Sequence, residues 1–584
     1  MREAEANLKI QDYKSIPEQI AVTNISYRLK SLLPTIAIGL GLILALCGRS
    51  FQGDSVSYLD MGDYFFAGDR RAILNGLWSP LFPFIQGLTR WLFKPTLRWE
   101  PTLIQLTNFF IYVSAVVAFQ FFWGEVSRLY RSHSQRESQP PDATFSENEF
   151  WIFGYAVFLF MHLDIVTLTT PDMLLSTIVY LSVGLILKIR LDGPTLLRFC
   201  LLGLLLGLGF LAKAVMLPLA GVFLAAAVLP NLRQRFLLFY TLAAVIAFAA
   251  VVTPYIHELS RKEGHFTAGE AAKLNYASHV NDVPLVYWQG EIAGFGKPEH
   301  PARQIFSAPT IYEFGAPVRG TYPPWYDPSY WDAGLRVRFD LRDQLHALAR
   351  NLNRYLRGFW SQNALIACVL VLVVLRRDRS SVLHDFLSVW YLWLPAAAAC
   401  GLYGLVWVEG RYVSQFFVLF WAAALTLVRL PGQSESQSVI RAVTIVAVLL
   451  LAIRISVNLV EGGMAGHRGA GLQMDIAKGL SLEGVRPGEK VALIDAGLGE
   501  GWLKLARLAV VAEIPPADRD TFWAVDAERR AQIYRVLAAN GANVLIAQDA
   551  PNWAEAAGWK RVGSTPVYIY RMNPQDYPGS IPLR

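Results

Sequence analysis

The chain has 584 residues, 54% hydrophobic and only 17% charged, with a mean hydropathy of +0.33; that balance, with many apolar runs of about 20 residues, excludes a soluble globular protein and indicates a polytopic membrane protein. The net charge of +7 and pI near 9.1 do not imply nucleic acid, because Lys and Arg fall mostly in short connectors between apolar runs, as topology requires, and no basic stretch is interleaved with aromatics.

Residues 1–31 are polar, and Arg28 and Lys30 flank the first span, 32–47, which places the N-terminal segment in the cytoplasm. Leu44-Ala45-Leu46-Cys47 faintly suggests a lipoprotein cleavage site, but a long polar stretch precedes it, so the span reads as an uncleaved helix. The first loop, 48–102, is then external. It contains GDSVSYLDMGDYFFAGDRRAILNGLWSPLFP (53–83), with Asp54, Asp60, Asp63 and Asp69 and an Asn-Gly turn, far more chemistry than a bare connector needs. Residues 81–93 are predicted to lie along the membrane surface with Arg90 and Lys94 reaching headgroups.

The second span, 103–123, returns to a cytoplasmic connector with Arg128, Arg131 and Arg136 and a Ser-Gln-Pro-Pro-Asp linker (138–142). Spans at 151–167 and 173–189 leave Thr169-Thr170-Pro171-Asp172 as a tight outer turn, where Asp172 suits a helix cap as well as a ligand. Spans at 196–211 and 215–229 put Lys213 at another outer turn, where a snorkelling lysine is ordinary. The span 236–256 leads into a long external segment, 257–358, rich in proline and in aromatics such as Tyr287, Trp288, Tyr322, Trp325, Tyr326, Tyr330 and Trp331; it is expected to fold over the outer face. Its end is amphipathic, with Leu341, Leu345, Leu348, Leu352 and Tyr355 on one stripe and Arg350, Arg354 and Arg357 on another, suited to anionic lipid or to a lipid-linked phosphate. After 359–375, the Arg376-Arg377-Asp378-Arg379 cluster is cytoplasmic, 386–406 leads out to Glu409-Gly410-Arg411-Tyr412, and spans at 413–428 and 440–460 complete eleven transmembrane helices with an external C-terminus.

From residue 461 to 584 the composition is that of a small α/β domain, with strands at 491–494, 510–512, 544–546 and 567–570 and a helix at 527–539. Gly497, Gly499 and Gly501 lack the GxGxxG spacing of a dinucleotide loop. The four cysteines, Cys47, Cys200, Cys368 and Cys400, lie in apolar segments without metal-ligand spacing and read as packing residues. The fold expected is therefore an α-helical polytopic membrane domain, 32–460, followed by an extracytoplasmic α/β domain.

With this topology Asp54, Asp60, Asp172, Lys213, Glu409 and Arg411 all fall at the outer ends of helices. Transfer of a sugar from a phosphate-linked lipid to a hydroxyl needs a carboxylate to take the acceptor proton and cations for the departing phosphate, and these residues supply both types. A transporter or flippase would be expected to line the bilayer midplane with ionisable groups; Arg454 is the chief residue of that kind. A noncatalytic scaffold is the third reading.

The elements Asp54-x-x-x-Tyr58, Trp78-Ser79-Pro80-Leu81-Phe82-Pro83, Pro171-Asp172 and Glu409-Gly410-Arg411-Tyr412, in this order, resemble the GT-C superfamily of membrane glycosyltransferases, which includes protein O-mannosyltransferases and lipid A aminoarabinose transferases. The resemblance covers roughly residues 30–430. It implies a polyprenyl-phosphate or diphosphate sugar donor, an acceptor hydroxyl on a lipid, glycan or protein, and transfer at the outer face of a bacterial inner membrane. It also implies that the first-loop Asp is the base. Asp54 matches that position, with Tyr58 one turn later; the second acid frequent in the family is replaced by Ser55, which leaves Asp60 or Asp63 as alternatives. Asp172, Lys213, Glu409, Arg411 and Tyr412 would bind substrate. No cofactor is assigned, and a requirement for a divalent metal is left open.

Overall fold

The computed structural model describes residues 18–46, 53–134, 143–314, 318–376, 378, 380–495 and 497–572. Residues 1–17, Cys47, Arg136, the 138–142 linker, Arg377 and Arg379 lie outside them. The helices begin with α1 (Glu18–Leu46), followed by a short pair, α2 (Asp54–Phe66) and α3 (Leu81–Phe93), and then by α4 (Glu100–Ser134), α5 (Glu147–His162), α6 (Asp172–Asp192), α7 (Leu196–Ala212), α8 (Met216–Val228) and α9 (Leu237–Glu263). The 257–358 segment contributes α10 (Ala271–His279), the hairpin β1 (Arg303–Ser307) and β2 (Thr310–Glu313), and α11 (Leu341–Ser361). The bundle ends with α12 (Asn363–Val374), α13 (Trp390–Val406), α14 (Gly410–Leu425) and α15 (Ser434–Leu482).

Each of the eleven predicted spans falls on one of these helices. Among the described residues four helices are long and apolar enough to cross a membrane alone, α4, α6, α9 and the 435–461 stretch of α15, or six if two bent helix pairs each count as one span. Helices α7 and α8, with 17 and 13 residues, are shorter than the about 20 residues that a hydrocarbon core takes. The outward faces are apolar: Leu238, Phe239, Leu242 and Ile246 on α9 and Leu449, Ile453, Val457 and Val460 on α15 are exposed, a pattern that only lipid makes favourable over whole helices. Small residues allow close crossings. A Cβ at Gly62 of α2 would come within 2.9 Å of the Gly87 Cα and 2.5 Å of the Pro83 carbonyl oxygen of α3, so these two helices pack backbone against backbone.

Beyond the bundle, β3 (Lys490–Ile494), α16 (Gly501–Leu505), β4 (Ala509–Ile514), α17 (Arg519–Ala524), α18 (Ala527–Ala539), β5 (Val544–Gln548), β6 (Lys560–Arg561) and β7 (Val567–Arg571) form the α/β unit. Its sheet has seven strands in the order β1-β2-β4-β3-β5-β7-β6. The three central strands are parallel, and β2 of the 257–358 segment pairs antiparallel with β4. The 257–358 segment and the C-terminal residues therefore share one sheet and one core.

Inside that core Glu513 of β4 is fully buried. Burial pushes its carboxyl up to about 7, although hydrogen bonds from Tyr287, Tyr322 and the Gly497 N–H oppose the shift. Because the folded value lies above the ordinary 4.5, folding takes up a proton between those two pH values. This site's stability is intact below about pH 4.5, declines as pH rises to about 7, and is constant above. Glu513→Gln should accordingly unfold at higher temperature than wild type at pH 8, by an equivalent of on the order of 3 kcal/mol, and should match wild type at pH 4.5; thermal unfolding at the two pH values checks this.

Candidate active site

Asp54 is the first residue of α2 and follows Gly53, whose φ of 45° turns the chain into the helix at little steric cost. Its carboxylate is held from two sides. Arg411 Nη2 donates to Oδ2 at 2.9 Å and Trp325 Nε1 donates to Oδ1 at 3.2 Å. Trp325 is itself fixed by the first loop, since its carbonyl accepts from Ser57 Oγ (3.0 Å) and from Trp78 Nε1 (3.1 Å). Asn75, in the Asn-Gly turn, caps this arrangement by accepting from the Leu77 and Trp78 N–H groups and donating to the Tyr326 carbonyl at 2.6 Å.

Arg411, in the first turn of α14, is shared. Its Nε donates to Glu409 at 2.6 Å and its Nη2 to the Tyr412 hydroxyl at 3.1 Å, while Trp407 Nε1 donates to the other Glu409 oxygen at 3.0 Å. Burial raises the Glu409 carboxyl, but Arg411 and the Trp407 N–H outweigh it and hold the group below its usual value. Lys213, at the end of α7, reaches the same place from the other side. Its Nζ lies 3.7 Å from the Tyr412 ring centroid, a cation–π distance, and donates to Asp172 at 2.5 Å. Thr170 Oγ1 donates to the second Asp172 oxygen at 2.8 Å, and Tyr403 stacks on Tyr412 at 5.3 Å.

Six predicted site residues thus meet in one network: Asp54, Asp172, Lys213, Glu409, Arg411 and Tyr412. Tyr58 is buried beside it, edge-on to Trp78 and Phe82, and feels the charges of Asp54, Asp172 and Arg411. Access divides the network. The Asp54, Arg411 and Lys213 side chains are 22%, 21% and 20% exposed, whereas Asp172 is 1% exposed. A ligand can touch the first three; Asp172 serves as the fixed counter-ion of Lys213.

Asp60 is not brought to this cluster. It is 1% exposed and its lone pairs are taken by Lys504 Nζ (2.6 Å), Thr321 N (2.6 Å) and Thr321 Oγ1 (3.0 Å). Lys504 also donates to Asp63 at 2.7 Å, which in turn accepts from Arg90 Nε at 2.8 Å. Burial raises the Asp63 carboxyl, but the two cations outweigh it and hold it at about 2. These residues bolt the α/β domain to the first loop. Two surface expectations change with them. Arg90 turns inward, 5% exposed, and donates to the Leu59 carbonyl, because Asp63 offers it a charge-assisted partner that a headgroup would have to replace; Trp91, Leu92 and Phe93 remain exposed. On α11 the leucine stripe is the outward face, while Arg350 and Arg354 fold over Trp407 at 5.5 and 3.2 Å and Arg354 donates to the Val408 carbonyl. Asn351 and Gln344 donate to the Gly404, Val406 and Leu405 carbonyls, so α11 satisfies the free carbonyls that end α13 rather than presenting those arginines to lipid.

Arg454, the charged residue within a span, is neutralised by Asp164 at 2.8 Å and stacks over Phe160. Among the described residues no three of His, Cys, Asp and Glu converge as metal ligands. Sequence reasoning missed Lys504, which carries no motif and sits in a segment of soluble character, and the Trp325 contact to Asp54, for which the aromatic richness of the 257–358 segment was the available signal.

No family model matches the chain, and no curated protein is recognisably similar in sequence. Solved structures are similar in shape. ArnT from Cupriavidus metallidurans bound to undecaprenyl phosphate superposes with a TM-score of 0.51 at 13% identity, covering 92% of this chain and 97% of that one; its apo state gives 0.51 at 12% identity with the same coverage. An Archaeoglobus fulgidus oligosaccharyltransferase in the apo form also matches, with a TM-score of 0.42 at 12% identity over 89% of this chain and 69% of its own. The fold of this chain, from the bundle through the C-terminal sheet, is similar to that of ArnT.

Proposed function

We propose that this protein is a membrane glycosyltransferase that moves a sugar from a polyprenyl-phosphate donor to an acceptor hydroxyl at the outer face of the bacterial inner membrane. The observation that carries this reading is the partly exposed Asp54 carboxylate paired with Arg411 and linked through Tyr412 to a second accessible cation, Lys213, at one end of the helix bundle. Asp54 takes the proton of the acceptor hydroxyl as its oxygen bonds to the anomeric carbon. The bond from that carbon to the phosphate oxygen breaks, and its electron pair leaves on the polyprenyl phosphate, which Arg411 and Lys213 neutralise. Glu409 and Asp172 hold the two cations in place in the free enzyme. That ArnT was crystallised with undecaprenyl phosphate makes the same class of lipid the first donor to test.

Lys213→Met and Arg411→Gln should each weaken binding of a polyprenyl-phosphate sugar by about tenfold or more, the order expected for losing one charge-assisted phosphate contact. Full donor affinity in both folded variants would return these residues to the role of structural anchors. The orientation is checked separately. A single cysteine at Ser564, in the α/β domain, should react with an impermeant thiol reagent in intact cells, and protection there, with labelling only after the membrane is opened, would put the domain and the site on the cytoplasmic side.

A further inference from the structure

The parallel core of the C-terminal sheet has a feature that the transfer reaction does not use. From β3 the chain passes to β4 on one side and then crosses to β5 on the other. The carboxyl ends of β3 and β5 therefore diverge at a topological switch point, where open α/β sheets form ligand crevices. A cleft of about 460 Å³ opens beside these strand ends, lined by Arg519, Asp520, Trp523, Ala524, Asp549 and Pro551. That volume falls within the range of small-molecule sites.

Its walls are chemically mixed. Asp495 and Asp549 directly follow the two strands, and Arg519 Nη1 donates to Asp495 at 3.0 Å with both side chains still partly exposed. Trp523 packs edge-on to Trp553 at 5.6 Å. Arg530 fixes that pair: its guanidinium lies 4.2 Å from the Trp553 centroid and donates to the Trp523 and Val525 carbonyls. Trp553, behind Trp523, is 39% exposed. The Trp523 Nε1–H is shielded from water and has no acceptor among the described residues.

We infer that this cleft is a second, noncatalytic saccharide-binding site. A pyranose has an apolar face of C–H bonds and an edge of paired hydroxyls. The half-buried Trp523 indole, which lines the cleft and is backed by Arg530 and Trp553, suits the face, and carboxylates beside a guanidinium suit the edge, since hydroxyls both donate and accept. Charge selects among the ligands of this size. Carboxylates outnumber guanidiniums along the cleft and Arg519 is already paired, so a phosphate-bearing ligand is repelled and a neutral or amino-substituted sugar is favoured. A nucleotide is disfavoured further because the Gly497 to Gly501 turn does not line this cleft; Gly497 faces the first loop instead, beside Gly53 and Trp325. The site is separate from Asp54, Arg411 and Lys213, and its occupancy does not depend on the proposed transfer.

The test is saturation-transfer NMR on the purified full chain in nanodiscs, with maltose, N,N′-diacetylchitobiose, glucosamine and glucose 1-phosphate as probes. At least one uncharged or amino sugar should bind saturably, should be weakened about tenfold or more by Trp523→Ala and by Asp549→Asn, and should bind Asp54→Asn protein as well as wild type; glucose 1-phosphate should bind most weakly. Asp549 is exposed, so its substitution separates lost binding from lost folding. The assignment is overturned if none of the four probes binds saturably, if binding survives both cleft substitutions, if glucose 1-phosphate binds best, or if Asp54→Asn rather than the cleft variants abolishes it. The last of these results would place the sugar in the transfer site and leave the proposed activity standing.

Discussion

Asp54→Asn should lower the turnover of sugar transfer by about 10²- to 10⁴-fold, the usual cost of losing general-base assistance, while the protein folds and binds donor. The amide keeps the shape but has a single acceptor oxygen, so it retains one of the two hydrogen bonds that Trp325 Nε1 and Arg411 now donate at 3.2 and 2.9 Å and turns its NH2 toward the other donor; at a partly exposed site the change removes basicity at the cost of one hydrogen bond. Asp60→Asn should behave differently. Its three donors and its burial give it no route to an acceptor, and its loss should appear as reduced stability. Single-turnover rates and thermal unfolding on both variants separate the two roles; normal turnover by Asp54→Asn together with a folded but inactive Asp60→Asn would move the base to Asp60.

Lys504→Met should be the most damaging single substitution for the attachment of the α/β domain. The lysine side chain is 8% exposed and bridges Asp60 (1%) and Asp63 (36%). Removing it strands a buried carboxylate, and breaking buried pairs in this way costs about 3–5 kcal/mol. Protease digestion should cut the variant near the α15 and β3 junction at a concentration that leaves wild type whole. The acid profile gives a second readout. The Asp63 carboxyl sits at about 2 in the folded protein against an ordinary 3.8, so its contribution is present above about pH 4 and is lost as pH falls toward 2. Wild type should lose stability over that interval, and Lys504→Met should show a flatter decline. Equal protease resistance and equal acid profiles would remove the bolt from the account.

The helices of the bundle were legible because lipid demands apolar side chains along whole helices; each of the eleven predicted spans falls on a helix, and among the described residues four of the helices, or six counting bent pairs, are long and apolar enough to cross a membrane. The convergence of Asp54, Asp172, Lys213 and Arg411 was legible by the same route. Alternating the spans puts residues as far apart as 54 and 411, separated by 357 positions, at one end of the bundle. What the alternation cannot give is the partner each charge takes. Arg90, Arg350 and Arg354 lie on amphipathic helices where a headgroup would satisfy them, and only the approach of Asp63, Trp407 and the end of α13 diverts them inward. Lys504 meets Asp60 across 444 positions through a contact between two domains, which leaves no periodicity in either segment. The hairpin β1 and β2 escaped notice for a related reason: two strands of five and four residues make a weak alternation signal, and the β4 edge that stabilises them lies about two hundred residues downstream.

Covalent transfer at Asp54 is measured by incubating the purified protein in proteoliposomes with a set of radiolabelled polyprenyl-phosphate sugars and candidate acceptors. Label should move from the lipid donor to an acceptor, releasing polyprenyl phosphate in equal amount, with wild-type protein and not with Asp54→Asn. Movement of intact labelled lipid between leaflets without cleavage, or transfer that Asp54→Asn supports at the wild-type rate, would contradict it.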